Sequence, residues 1–225
     1  MSSDRKRKNS FDKIVHSYFA AVTKQPFVYE GVTVPARRVI VSPLLFRGFQ
    51  CHAKCGACCQ RYSLEYLPTE VHPSSAEKYY VTVNGVVRAL YRVEQPEKEQ
   101  HCQHLDLLTG MCKIQEEKPF HCDFELIRPM IGADRVKWIQ KLPGRHWCMK
   151  RIPGEGKGAL CKITPPTEAT TREVIRKLKR LKEWTDHFGL ETWLPEMIEW
   201  AARGPYNKSL ILVTPEQATA LLEVR

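Results

Sequence analysis

Apolar positions recur at helical spacing from the start of the chain. Phe11, Ile14, Val15, Tyr18, Phe19 and Val22 fall on one face of a 3.6-residue period and predict a helix over residues 10–24. From Phe27 the pattern changes: FVYEGVTVPARRVIVS is rich in β-branched residues, is broken by Gly31 and Pro35, and predicts two short strands. The segment VTVNGVVRALYRV carries two β-branched runs around Asn84 and Gly85, the turn chemistry of a tight hairpin. After Cys161 the pattern turns helical. Val174, Ile175, Leu178, Leu181 and Phe188 line one face, Thr170 and Glu173 have capping-box spacing, and Pro165 and Pro166 exclude an earlier start, so a helix is predicted from about residue 170 to Phe188. Pro195 and Gly204 bracket a shorter helix with Met197, Ile198 and Trp200, and SLILVTPEQATALLEV reads as a strand followed by a helix capped by Thr214, Pro215 and Gln217.

These elements predict an α+β fold: a small cysteine-rich, metal-nucleated domain with a β-hairpin insertion, followed by a mainly helical C-terminal region. The expected organisation is a disordered basic arm at 1–9, the cysteine-cluster domain at 10–163, and a helical region at 164–225 packed on it. At 225 residues the chain has room for one real core and a modest appendage. Its 43% hydrophobic and 27% charged residues exclude wholesale disorder or a fibrous repeat. No apolar run approaches the roughly 18 residues of a membrane span. Charge interrupts any secretory core after MSSDRKRKNS, so a cytosolic location and no membrane partner are expected.

Cysteine changes the picture most. Nine are present, seven of them between Cys51 and Cys122. In a reducing compartment they are not a disulfide framework, and the adjacent pair Cys58 and Cys59 is an awkward staple in any case. Cys51, Cys55, Cys58 and Cys59 put four thiols in nine residues, and Gly56 is suited to the turn that swings neighbouring sulfurs round one ion. Cys102, Cys112 and Cys122 follow with nine residues in each gap. Buried cysteines can serve merely as small hydrophobes, but the polar neighbours of Cys51, Cys55, Cys102 and Cys122 argue for metal.

The arrangement resembles the CxxCxxCC zinc- or iron-chelating family, the YkgJ-like cysteine-cluster proteins. Cys55-Gly56-Ala57-Cys58-Cys59 matches the first part of that pattern. Cys112-Lys113-Ile114 with Pro119-Phe120-His121-Cys122 matches the second. The chain departs from it in having three residues between Cys51 and Cys55, and Lys118 where arginine usually precedes the proline. The resemblance implies a metal or iron–sulfur module. Longer proteins similar to the family include flagellin lysine N-methylases, so an iron–sulfur-dependent transferase or oxidoreductase stands as the alternative to a redox, metal-handling or structural role.

Zinc and a [4Fe–4S] cluster each take four ligands. The seven clustered thiols, with Cys148 or Cys161, reach the eight that two such centres need, and iron–sulfur is favoured over zinc. His52, His101, His104 and His121 lie near the thiols as further candidate donors or hydrogen-bonding neighbours.

Other constellations are weaker. Cys51, Cys55 and Cys58 share the CxxxCxxC spacing of radical S-adenosylmethionine enzymes, but Ala57 replaces the usual aromatic residue and no alternating β/α pattern follows. GEGKG at 154–158 lacks the spacing of a phosphate-binding loop and reads as a surface turn. Glu116, Glu117, Asp123 and Glu125 are not distinguishable from solvated charges. A net charge of +10 permits an acidic or nucleic-acid partner. Arg5–Lys8 and the set Arg172, Arg176, Lys177, Lys179, Arg180 and Lys182 read more simply as a solvated tail and the wet face of a helix. Nucleic acid is therefore not favoured, and a protein partner is left open.

Overall fold

The computed structural model describes residues 9–36, 39–41, 46–50, 64–94, 102–106, 108–109, 111–114, 117, 119–120, 122, 162–204 and 210–212. The basic arm at 1–8, the first cysteine block and the segment 123–161 lie outside them, as does the helix expected after Thr214. Within them the fold is α+β.

The N-terminal helix forms where expected, as α1 (Asn9–Ile14), a π-helical segment (Val15–Phe19) and α2 (Ala20–Val22). Every residue from Tyr18 to Val22 is buried, a broader face than a regular amphipathic helix presents. Three strands follow instead of two: β1 (Phe27–Tyr29), β2 (Val32–Val34) and β3 (Val39–Val41). Glu30 and Gly31 turn β1 into β2 with φ of 48° and 76°, and Asn84 and Gly85 repeat the device at 49° and 76° between β6 (Glu77–Val83) and β7 (Val86–Val93). Two successive left-handed residues match the twist of the strands they join, and this is why Asn-Gly was legible as a hairpin.

With β5 (Leu64–Tyr66), these strands build a five-stranded sheet of order β2-β1-β6-β7-β5, antiparallel throughout. Two small pairings tie distant parts of the chain together. β3 pairs with β9 (Leu210–Leu212), and β4 (Arg47–Gln50) pairs with β8 (Lys162–Pro166). Residues 162–166, read from sequence as the approach to a helix, are thus a strand.

The long helix α3 runs over Glu168–His187, beginning earlier than predicted. Thr167 is the N-cap, and its hydroxyl accepts from the Thr170 amide while the Thr170 hydroxyl accepts from the Thr167 amide. Thr170 therefore closes the cap from inside the first turn, and the helix starts directly after the prolines. α4 (Leu194–Ala202) follows, with Pro195 in its first turn.

One core joins α1, α2, α3, α4 and one face of the sheet. Phe11 and Phe19 each lie near 5.5 Å from Phe188, at 5.5 and 5.4 Å between ring centres, and Trp184 is fully buried among them. Register sets what the sheet presents on each side. Glu65 opposes Arg92 and faces the helices with Tyr79, while Leu64 opposes Val93 and Tyr66 opposes Tyr91 on the other face. Those last residues make a second, smaller apolar cluster on which Cys102 and Cys122 pack.

On the helix face, the Glu65 carboxylate is wholly buried and takes hydrogen bonds from Arg92 Nε at 2.8 Å and from the Tyr79 hydroxyl. Burial pushes its carboxyl above the ordinary range, and Arg92 opposes that push. Neighbouring Tyr29 donates to Asp12 Oδ1 at 3.0 Å.

Candidate metal centre

The second cysteine block is irregular chain organised by short turns. The Leu105 amide bonds the Cys102 carbonyl at 2.9 Å. A two-rung hairpin then forms, with the Lys113 amide on the His104 carbonyl at 2.8 Å and the Asp106 amide on the Met111 carbonyl at 2.9 Å. Leu105 is thereby placed opposite Cys112. The Thr109-Gly110 turn read from sequence lies at the tip of this hairpin, although Gly110 itself is outside the described residues. A second turn carries the Cys122 amide to the Pro119 carbonyl at 3.0 Å.

β5 is an edge strand, and the block straddles it. Cys102 and Cys122 lie on the Leu64, Tyr66 and Val93 face, whereas Phe120 crosses to the main core, stacked on Trp184 at 4.6 Å with an interplanar angle of 20°.

Tyr66 belongs to the apolar cluster on which Cys102 and Cys122 pack. Burial pushes its phenol up, and the charges of Cys122, Cys102, Glu70 and Cys112 add to that in turn. Beside it His72 stacks on Tyr91 at 4.0 Å, nearly parallel, and meets Tyr66 edge-on at 6.3 Å. Cys102, Cys112 and Cys122 are half-buried thiols. The Cys102 sulfur accepts from the His104 amide at 3.5 Å, the kind of N–H···S bond that stabilises a metal-bound thiolate. Soft, partly shielded sulfurs with amide donors suit zinc or iron.

Residues 50–142 match the family CxxCxxCC, “Putative zinc- or iron-chelating domain”. The CxxCxxCC match starts one residue before the first cysteine block and includes the second, in agreement with the resemblance drawn from the motifs. No curated protein and no solved structure matches the chain.

The candidate residues divide between described and undescribed parts of the domain. Cys102 and Cys122 pack on the β5 cluster, and Cys112 lies opposite Leu105. Cys51, Cys55, Cys58, Cys59, Cys148 and Cys161 lie outside the described residues, as do His52, His101 and His121. Among the described residues no group of three or more His, Cys, Asp or Glu is close enough to hold an ion. His104, the described histidine of the four, has its imidazole pKa lowered by partial burial and then by Lys113.

Residues that sequence reasoning missed frame the block. Glu70 accepts from the Leu67 amide at 2.8 Å and the Phe120 amide at 3.3 Å, and forms an ion pair with Arg180 of α3. Tyr66, Glu70 and His72 lie before the hairpin insertion and carry no local spacing signal that ties them to cysteines beyond residue 100.

The basic set on α3 also differs from its sequence reading. Lys177 is buried, and five of the six cations meet carboxylates: Arg172 with Glu168, Arg176 and Lys177 with Glu173, Arg180 with Glu70, and Lys182 with Asp186.

Proposed function

We propose that this protein is a cysteine-cluster metal-binding protein with a redox, metal-handling or structural role, in which Cys51, Cys55, Cys58 and Cys59 act together with Cys102, Cys112 and Cys122, completed by Cys148 or Cys161, and that iron–sulfur is favoured over zinc. The observation that carries the reading is the packing of Cys102 and Cys122 on the apolar cluster of β5, the strand into which the first block leads, with Cys112 opposite Leu105 in the same block. Cys59 is five positions before Leu64, and an extended chain spans at most about 3.6 Å per residue, so connectivity alone keeps Cys59 within roughly 18 Å of β5. The eight-thiolate count supports two four-ligand centres. Such a centre supplies one-electron exchange if it is an iron–sulfur cluster, or a structural cross-link if it is zinc. The chain's own part is to gather thiols, to donate amide hydrogens to them, and to shield them on one apolar cluster.

Anaerobic purification followed by metal and sulfide analysis tests this. Brown protein absorbing near 400 nm supports iron–sulfur, and colourless protein with stoichiometric zinc supports the zinc form. Cys58→Ser and Cys112→Ser should each lose bound metal and destabilise the domain, because metal binding free energy enters folding, on the order of 10 kcal/mol for structural zinc. Wild-type protein free of both metals, with mutants equally stable, overturns the reading.

A further inference from the structure

We propose that Glu70 is a positioning residue for the metal centre: its carboxylate fastens the turn bearing Phe120 and Cys122 to helix α3, so that a residue which is not a ligand presents the Cys122 thiol for binding. The inference rests on the metal-binding reading above and concerns what holds the site open and ordered.

Glu70 is itself held by its own turn. Its amide bonds the Leu67 carbonyl at 3.0 Å, and its Oε2 takes the Leu67 amide at 2.8 Å in return, a reciprocal closure that leaves the side chain little freedom. Oε1 then faces two donors from distant parts of the chain, the Phe120 amide at 3.3 Å and the Arg180 guanidinium. An ionised carboxylate offers about four acceptor positions and no donor, so it can serve three N–H groups at once. Arg180 belongs to a twenty-residue helix whose inner face is sunk in the main core, and that side of the contact is rigid. On the other side, the Phe120 peptide leads within two residues to Cys122, through the turn closed on Pro119.

Cys102, Cys112 and Cys122 sit in loops with little regular structure, so a metal that binds them must meet the entropy of ordering them unless it has been met in advance. The carboxylate meets part of it by fixing the Phe120 peptide, and the Phe120 ring on Trp184 supplies the rest of the anchor. Residues that hold ligands from outside the coordination shell are typically worth 10–100-fold in metal affinity. Glutamine cannot replace Glu70, since it offers a single acceptor oxygen and turns an NH2 toward donors.

The test uses full-length protein stripped of metal and kept reduced, titrated with Zn2+ against a chromophoric chelator. Co2+ then reports sulfur ligation through its thiolate charge-transfer absorption. Titrations are run at a temperature where circular dichroism shows every variant folded. Glu70→Ala and Glu70→Gln should bind Zn2+ about 10–100-fold more weakly and give a weaker Co2+ thiolate band. Arg180→Lys, which leaves the carboxylate neutralised and still facing the Phe120 amide, should stay close to wild type. A purely structural role for Glu70 lowers thermal stability and leaves both titrations unchanged. Wild-type affinity in the folded Gln variant therefore overturns the inference even if the Ala variant does not fold. Failure of the wild type to take up either ion overturns the role of Glu70 and the zinc form of the metal reading together, the iron–sulfur form being tested by the metal and sulfide analysis above, whereas tight binding by all variants overturns only the role of Glu70.

Discussion

Phe120 is the perturbation that best tests how the cysteine block is held. Its side chain is 0% exposed, stacks on Trp184 at 4.6 Å and meets Tyr18 edge-on at 6.5 Å. Phe120→Ala removes a full ring from a closed site between an edge strand and a helix, where Trp184 and Tyr18 are too constrained by their own packing to collapse inward. Buried Phe→Ala changes cost about 3–5 kcal/mol, and the loss of the stacked geometry falls within that range. For a chain of this size, each kcal/mol moves the midpoint by about 2–4 °C, so a fall on the order of 6–20 °C is expected. The measurement is urea and thermal unfolding of reduced, metal-free protein by circular dichroism, which keeps metal binding energy out of the comparison. Leu108→Ala is the control: Leu108 is 81% exposed on the neighbouring hairpin tip, and its change should stay within about 0.5 kcal/mol. A Phe120→Ala loss under about 1 kcal/mol would refute the argument that this ring carries the block onto the core.

Arg92→Met should cost about 3–5 kcal/mol at neutral pH, because it leaves the buried Glu65 carboxylate without its cation. Burial already raises that carboxyl, so the folded state holds a proton more tightly than the unfolded one. The deficit should shrink as pH falls through the raised value and grow above it, as denaturant titrations across pH can show. Glu173 has the opposite sign. Hydrogen bonding from Arg176, aided by Lys177, pushes its carboxyl down to about 2 from an ordinary 4.5, so its contribution is complete above 4.5 and is lost as pH falls toward 2. Glu173→Gln should flatten that acid limb by less than about 1 kcal/mol, since the group is half exposed, and salt should shrink the difference further. α3 should give no salt-sensitive retention of random RNA or duplex DNA in anisotropy titrations, since most of its cations already face carboxylates; tight binding that falls steeply with salt would contradict this.

What the sequence by itself determined is local or chemical. A two-residue turn needs two left-handed residues, and Asn84-Gly85 announces it without knowledge of anything else. The faces of α1 and α3 follow from 3.6-residue periodicity, and the dense thiol spacing of the two blocks is legible as a chelating motif. Even here, local reading misjudged the ends. Thr170 looked like a cap but closes a cap made by Thr167, and residues 162–166 took strand form because β4 offered them a partner.

Only the tertiary structure decided the rest. β3 finds β9 and β4 finds β8 across more than a hundred residues, through backbone groups that are chemically alike at every position. Arg180 looked like one of six solvated cations, yet it closes on Glu70, 110 residues away, and Lys177 is buried. Pleat and register send Glu65 to the helix face and Tyr66 to the opposite one, and so decide which neighbour becomes a buried ion pair and which meets the thiols. Such contacts depend on which surfaces the whole chain leaves available once its core has closed. Their loop-closure cost is met by that collapse and not by any local preference, which is why no window of sequence contains them.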